Sequence, residues 1–566
     1  MKRKGFAHNA AIMFVAMFLT KGLGALLKIP LGNILGGEGM GYFTTAYSIY
    51  TPILAFVCSG IPTIVTQVTA RYASQDRGLE LFRFRRSALL LGGGIGLAGT
   101  AVIYLISMPF AYYVANSPGS LPSILLIAPA VFGCSVTAVY RGYYEGLSDM
   151  LPTAVSQVIE AAVKAGIGVG ASYYVYIRGT EYFGSVERAL PYAAAAAILG
   201  VTISEYCGTF YIVRKVQKET TAERRQYGKP SFEELWGIMK EIMISSLPVA
   251  AGAAASNLIS FTDLLTVANC INLSYGIFSE SFFSVPALSE VLSVPPSDLG
   301  NFLYGSYSGM VLSVYMLTAA AAGLISRCSL PRLVCAAETK NIRNMNDGIL
   351  LMLKGTALIA VPLSLMIAAL SEPILVLLYP MRTAEVSVSV LPLRILSIGG
   401  IVSGLGGAVF TVFHAYGDFK TPVKITLYGG AVKFIMNVLL LLIPQINISG
   451  AALSTVLSNG FMTLYACRVL KKRFCVRLPL FSASLPALLS GLAASVCVVS
   501  VFSVAVKQMN SVLSILFSLA VASFLYLFLM FVANSRELIE IFRCLRRKKS
   551  ERYFEFPEGA GRKVLK

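Results

Sequence analysis

Residues 512–533 read VLSILFSLAVASFLYLFLMFVA, an unbroken run without a single charge. Coiled as a helix at 1.5 Å per residue, such a run spans about 33 Å, enough to cross a hydrocarbon core of roughly 30 Å. A membrane barrel strand is excluded, because its residues alternate between lipid and lumen over about ten positions. Comparable runs recur along almost the whole chain, near 9–30, 41–70, 87–108, 122–140, 153–176, 191–213, 243–270, 303–326, 350–372, 390–413, 423–443, 450–467 and 480–506. Composition agrees: 56% of the 566 residues are hydrophobic, 13% are charged and the mean hydropathy is +0.71. A soluble domain carries about 25% charge. The expected fold class is an all-α polytopic membrane protein with about fourteen transmembrane helices.

The positive-inside rule orients these helices. With alternate loops assigned to the cytoplasm, the tails and inner loops hold 36 of the 47 Lys and Arg residues. The outer loops hold only Arg178, Arg188, Arg382 and Lys507, and the other seven lie inside the runs. Both termini are therefore expected in the cytoplasm. The net charge of +19 calls for no nucleic-acid partner. Its concentrations at Arg83–Arg86, Arg214–Lys229, Lys471–Arg473 and Arg546–Lys549 fall at the inner face, where anionic headgroups are the expected contact. The first run, which follows Met1-Lys2-Arg3-Lys4, lacks a small-residue cleavage site and reads as a retained helix.

The chain also repeats itself. Ile61-Pro62 matches Leu330-Pro331 and Ser87-Ala88-Leu89 matches Thr356-Ala357-Leu358, both 269 positions on. Pro152 matches Pro422, and the turns Gly146-Leu147-Ser148-Asp149 and Gly417-Asp418 precede them. Six runs separate the copies, so the repeat is parallel. The expected division is a six-helix bundle with a cytoplasmic linker at 1–240, a second six-helix bundle at 241–479, two extra helices at 480–533 and a basic tail at 534–566. Two pseudo-symmetric bundles imply a transporter with its path between them near the midplane.

Charges at membrane depth are the candidate site, because they need a partner or a wet cavity. Lys21, Lys164 and Lys433 each sit about 11 residues, or about 16 Å, from the cytoplasmic end of their runs. Lys28 shares a helical face with Lys21. The mid-membrane acids are Glu160, Glu205 and Asp263; Glu160 and Lys164, at i and i+4, are placed to pair. A surplus of ammonium groups suits an anionic ligand such as a phosphate or pyrophosphate. The alternative for these lysines is interhelical pairing to Glu205 or Asp263, which would also be the residues for sodium or proton coupling. Lys354, Lys424 and Arg394 lie near enough to an interface to snorkel. The chain has only two histidines, His8 and His414, and no CxxC, GxSxG, P-loop or HExxH pattern. No enzyme activity, metal or cofactor is expected.

The stretches Phe18-Leu19-Thr20-Lys21-Gly22-Leu23-Gly24, Lys28-Ile29-Pro30-Leu31, Leu35-Gly36-Gly37-Glu38-Gly39-Met40-Gly41 and Tyr47-Ser48-Ile49-Tyr50 resemble the stage V sporulation protein B group. The most specific mark is Tyr140-Arg141-Gly142-Tyr143-Tyr144-Glu145-Gly146, followed by Met150-Leu151-Pro152-Thr153-Ala154-Val155-Ser156-Gln157-Val158-Ile159-Glu160. That group belongs to the multidrug/oligosaccharidyl-lipid/polysaccharide exporter superfamily, which also contains multidrug exporters and lipid II flippases. The resemblance implies a flippase for undecaprenyl-pyrophosphate-linked sugars, peptidoglycan precursor leading, in cell-wall, spore-cortex or polysaccharide synthesis. It brings Arg141 and Glu160 into the candidate cavity beside Lys21, Lys28, Lys164 and Lys433. Lipid II flippases carry cations that fall on Lys21 and near Lys28. Their acid early in the second helix and their arginine in the eighth fall near Phe43 and Leu312, which are uncharged here. The competing readings are a cation-coupled drug exporter, which would use Asp263 or Glu205, and a non-transporting envelope scaffold or a membrane glycosyltransferase. The orientation is directly testable: an epitope tag at the C-terminus is expected to react with antibody only after the cells are permeabilised.

Overall fold

The structure, a computed structural model, describes residues 6–75, 77–227, 230–278, 294–295, 297–339, 341–474, 476 and 478–546. Met1–Lys4, Lys229 and the tail from Arg547 lie outside the described residues, as does the side chain of Pro331. Helices fill every range that the apolar runs mark. In chain order they are α1 (Phe6–Ser74), α2 (Gly78–Pro109), α3 (Leu121–Ile127), α4 (Ala130–Gly146), α5 (Leu151–Phe183), α6 (Val186–Tyr227) and α7 (Phe232–Ile277). The second half holds α8 (Leu299–Gly305), α9 (Leu312–Glu338), α10 (Ile342–Ala369), α11 (Ser371–Leu378), α12 (Thr383–Ala415), α13 (Lys420–Leu441) and α14 (Ser449–Phe474). Last come α15 (Leu480–Ala505) and α16 (Ser511–Arg546). Among the described residues, ten helical segments are long and apolar enough to cross a membrane, with 15–74 counted as one. The chain is a multi-pass helical membrane protein.

Two six-helix bundles carry the repeat into three dimensions. In the first turn Leu147, Ser148 and Asp149 donate their amides to Tyr143, Glu145 and Tyr144. In the second, Tyr416, Gly417 and Asp418 donate to Val412, His414 and Phe413, every atom displaced by 269 positions. Ser148 (φ 59°) and Gly417 (φ 72°) both occupy the left-handed region at that offset. Each aspartate is then clamped from the end of its own bundle, Asp149 by Lys215 of α6 at 3.9 Å and Asp418 by Arg473 of α14 at 2.6 Å. Identical backbone geometry at a constant offset is what a duplicated bundle requires.

Helix α1 is two arms, 6–35 and 37–74, broken at Gly36 (φ 63°, ψ −167°). A side chain there would be strained by the backbone and would also meet Glu385 at 2.7 Å and Arg382 at 2.8 Å. The arms run back beside each other, since Leu27 packs on Gly168 while Tyr47 lies beside Lys164, both on α5. Around the Gly36 end one apolar cluster joins the two bundles: Leu31, Leu35 and Phe43 pack with Leu303, Tyr379 and Leu393. Toward the opposite end, the basic end, the core divides. Ile61, Phe84, Val139, Tyr143 and Ile212 form one cluster, while Leu333, Ile349, Phe413 and Leu470 form another with α15 and α16. The Arg83–Arg86 run does not all face headgroups as expected. Arg85 is fully buried, its guanidinium over the Tyr143 ring at 5.0 Å, because the α2 face that carries it is the one packed on α4.

Asp418 caps α13 by accepting from the Thr421 amide at 3.0 Å and the Thr421 hydroxyl at 2.7 Å. Burial raises its proton affinity, but these bonds and Arg473 outweigh that and hold the carboxyl below its usual range. A carboxyl depressed in the folded state stabilises fully above its unfolded pKa, near about 3.9, and loses that contribution as pH falls through the folded one. Asp418→Asn keeps a cap acceptor but removes the charge, and is therefore expected to cost up to about 1 kcal/mol near neutral pH, the worth of the Arg473 ion pair. In thermal unfolding of the detergent-solubilised protein, the gap to wild type should close below about pH 4.

Candidate functional site

The deep charges sort themselves by partner. Lys433 of α13 donates to Asp263 of α7 at 2.7 Å, with both side chains buried. Asn437 holds the other carboxylate oxygen at 3.0 Å, donates to Thr266 at 2.8 Å and accepts from Ser454. The cation is thus neutralised inside its own bundle. Of the two expectations for Lys433, interhelical pairing is the one the geometry displays, and Asp263 is occupied by it.

The first bundle solves the same problem differently. Lys164 stands 269 positions before Lys433, yet its acid comes from α6, Glu205 at 3.8 Å, and Tyr47 lies beside it. The expected Glu160–Lys164 pair does not form, because Arg141 of α4 reaches Glu160 at 2.6 Å and Ser156 at 3.0 Å. A bidentate-capable guanidinium with a second anchor outcompetes a lysine one turn away. Glu205 keeps one buried oxygen, Oε2, without a hydrogen-bond partner among the described residues.

Lys21 and Lys28 make no hydrogen bond or ion pair among the described residues; Lys21 is exposed and Lys28 half-buried. At 100° per residue Lys21, Lys28 and Gly32 fall within about 40° of one another on the first arm. Gly32 is pressed against the Tyr379 ring of the second bundle. That face therefore turns toward the other bundle, and the two ammonium groups lie on it one and three turns below the contact. Above them the bundles are tied together. Arg382 donates to the carbonyls of Asn33 at 2.9 Å and Ile34 at 2.8 Å, and Asn33 donates to Leu378 at 2.7 Å. Glu385 accepts from the Gly37 amide at 3.0 Å, and Asn301 donates to the Glu38 carbonyl at 3.0 Å. Gly305 lies against the Gly37 and Gly41 backbone, an approach that any side chain would block. Sequence reasoning missed this tie between the bundles. Arg382 counted only as an outer-loop base, and nothing local shows that its partner is the backbone at a break 345 or more positions earlier.

Two cavities adjoin, and the first bundle supplies all of their lining but Val249 of α7. One, of about 640 Å³, extends from the Cys58 and Cys134 thiols, 3.1 Å apart, to Glu145 beside the basic-end turn. The other, of about 390 Å³, runs between the first arm (Met17, Thr20, Gly24) and α5 (Glu160, Lys164). Gln157 lines both. At the two positions marked by the lipid II flippase pattern, Phe43 is fully buried and Leu312 half-buried.

A pair of six-helix bundles, joined at one end and enclosing charged cavities, defines the class: a helical membrane protein with the fold of the multidrug/oligosaccharidyl-lipid/polysaccharide exporters. The comparisons are specific. The family described as polysaccharide biosynthesis protein matches residues 6–280, and lipid II flippase MurJ matches residues 301–528. Among curated relatives, the uncharacterized membrane protein YabM of Bacillus subtilis (strain 168) is 24% identical over 461 residues, 81% of this chain and 78% of that protein. Stage V sporulation protein B of the same organism is 20% identical over 478 residues, 83% of this chain and 85% of that protein. A solved lipid II flippase MurJ in an inward closed conformation superposes with a TM-score of 0.67 at 16% identity. It covers 94% of this chain and all of that one. The first half of the chain thus resembles the polysaccharide biosynthesis family and the second half the lipid II flippase family, on one shared fold.

Breaking the Lys433 pair has a definite consequence. Lys433→Ala strands a buried carboxylate and is expected to cost about 3–5 kcal/mol, visible as lower yield and earlier unfolding. Lys433→Met combined with Asp263→Asn, which keeps the Asn437 contact without charge, should recover most of that loss in the same melt.

Proposed function

We propose that the chain is a flippase moving an undecaprenyl-pyrophosphate-linked saccharide across the cytoplasmic membrane by alternating access. The leading cargo is a peptidoglycan precursor. In this reading residues 1–240 and 241–479 are the moving bodies, with 480–533 riding on the second. Tyr526 of α16 donating to the Leu358 carbonyl at 3.0 Å supports that attachment. The basic end faces the cytoplasm under the positive-inside rule.

One observation carries the proposal. Lys21 and Lys28 have no protein partner among the described residues and share the face turned to the other bundle, below a hydrogen-bonded gate. A diphosphate entering from the basic end would meet two ammonium groups and be stopped by the Arg382–Glu385 closure above them. Lys164, Arg141 and Glu160 line or border the adjoining cavities and would set the headgroup's surroundings. The lipid II flippase names of the family matched over 301–528 and of the solved neighbour support the same class of cargo. A cation-coupled drug exporter would need a free acid at mid-depth. Asp263 is neutralised by Lys433, which weighs against it, and Glu205 is the acid left with an unpartnered oxygen for proton or sodium coupling.

The test is a leaflet-accessibility assay with fluorescent lipid-linked precursor in proteoliposomes. Wild type is expected to equilibrate the precursor between leaflets. Lys21→Ala and Lys28→Ala should each slow this by about ten- to a hundredfold, the worth of a charge-assisted bond to phosphate, while inserting normally. Full activity in both variants refutes the proposal.

A further inference from the structure

The first bundle carries a pair of thiols that the transport reading leaves unused. Cys58 on the second arm of α1 and Cys134 on α4 are 76 positions apart in the chain, yet their sulfurs stand 3.1 Å from each other. Either thiol can donate its S–H to the other, so a thiolate formed on one meets the hydrogen of its neighbour. Both line the larger cavity, the partly exposed Cys58 more openly than the buried Cys134. That cavity is open and extends to Glu145 beside the basic-end turn, so a small polar solute can reach the sulfurs from that end. The positions 269 residues on in the second bundle are Arg327 and Ser403, and Ser403 is hydrogen-bonded instead to Tyr315 at 2.7 Å and Asn459 at 2.8 Å. The dithiol is therefore particular to the first bundle.

The helices around the thiols suit a bond between them. A disulfide brings its sulfurs to about 2.05 Å, roughly 1 Å closer than these stand. Pro62 has no amide, so the carbonyl of Cys58, four positions earlier, loses its helical partner. Pro52 does the same to the carbonyl of Ser48. The turns that hold Cys58 thus lie between two interruptions and can yield over that short distance. At Pro62 and beyond, the arm is fixed on α4. Gly142 sits against the Pro62 backbone, and the Thr66 hydroxyl donates to the Gly142 carbonyl at 3.1 Å. The two helices therefore keep their register while the sulfurs close.

We propose that Cys58 and Cys134 form a peroxide-responsive modification site that cycles between dithiol and disulfide. The Cys58 thiolate attacks one oxygen of hydrogen peroxide and the O–O bond breaks. The hydroxide released takes up the proton that the thiol gave up, leaving one water and a sulfenic acid on Cys58. The Cys134 sulfur then attacks the Cys58 sulfur; the S–O bond breaks, the S–S bond forms, and the Cys134 proton leaves with the hydroxide as a second water. Two thiols have lost two electrons and the peroxide has gained them. A small thiol entering from the basic end reverses the bond through a mixed disulfide. While it lasts, the disulfide fastens the second arm to α4 at the turn that Pro62 leaves short of a hydrogen bond.

The experiment uses the full chain in lipid nanodiscs, once unaltered and once with the other eight of its ten cysteines replaced by alanine. After hydrogen peroxide, the two-cysteine chain should lose the mass of two hydrogens. Non-reducing digests of both chains should join the Cys58 and Cys134 peptides, and a small thiol should undo the link. With Cys134→Ala added, the reaction should stop at a Cys58 sulfenic acid that dimedone traps. With Cys58→Ala added instead, the buried Cys134 should take up about tenfold less label. Amide hydrogen exchange across 53–61 should slow about tenfold in the disulfide form. No linked peptide from the unaltered chain, or one that appears only after unfolding in detergent, overturns the site. Equal labelling of the two single-cysteine chains overturns the order of attack, and unchanged exchange with the disulfide in place overturns the fastening.

Discussion

An ammonium group inside a bilayer must have an oxygen, a wet cavity or a route to the interface, and that single requirement organises this protein's interior. Four lysines lie too deep for comfort, and the fold treats them in three ways. Lys433 is closed off by Asp263, with Asn437, Thr266 and Ser454 completing the cage. Lys164, its counterpart in the repeat, is held more loosely by Glu205 at the wall of a cavity. Lys21 and Lys28 are left on the face between the bundles. One bundle therefore appropriates its charge for structure, while the other and its first arm keep theirs available. The two copies of one fold thus differ in how their deep charges are partnered.

The gate follows from the same economy of polar groups. Breaking α1 at Gly36 frees backbone carbonyls at Asn33 and Ile34 that would be costly to bury alone. Arg382 and Glu385 from the second bundle satisfy the carbonyls and the Gly37 amide across the break. A helix interruption is tolerated at membrane depth only where protein or water covers it, and here the cover is the opposite bundle. Separating the bundles at that end would expose all of these groups together.

Much of the fold was legible in the sequence because hydrocarbon imposes a length on every apolar run, and the repeat offset pointed to two matching bundles. The turn hydrogen bonds around Ser148 and Gly417 reproduce that offset atom for atom. The site was legible only in part. Which charges are deep can be counted from a run, and Lys21, Lys164, Lys433, Glu160, Glu205 and Asp263 were all identified that way. Which charge meets which cannot, because partners come from other helices: Arg141 lies near the end of α4 and takes Glu160 from the lysine four positions on. Arg85, read as a headgroup contact from its basic neighbours, is turned inward by the face α2 presents to α4. Arg382 was invisible as a gate because its partners are backbone atoms.

The central claim is that Lys21 and Lys28 face a water-filled space reached from the basic, cytoplasmic end. The most direct measurement places a single cysteine at position 21 or 28 in a chain cleared of its native cysteines. Labelling then follows with an anionic, membrane-impermeant thiol reagent in right-side-out and inverted vesicles. The account predicts rapid labelling at both positions in inverted vesicles and protection in right-side-out ones. Labelling from the outside alone, or none from either side as acyl chains would enforce, contradicts it.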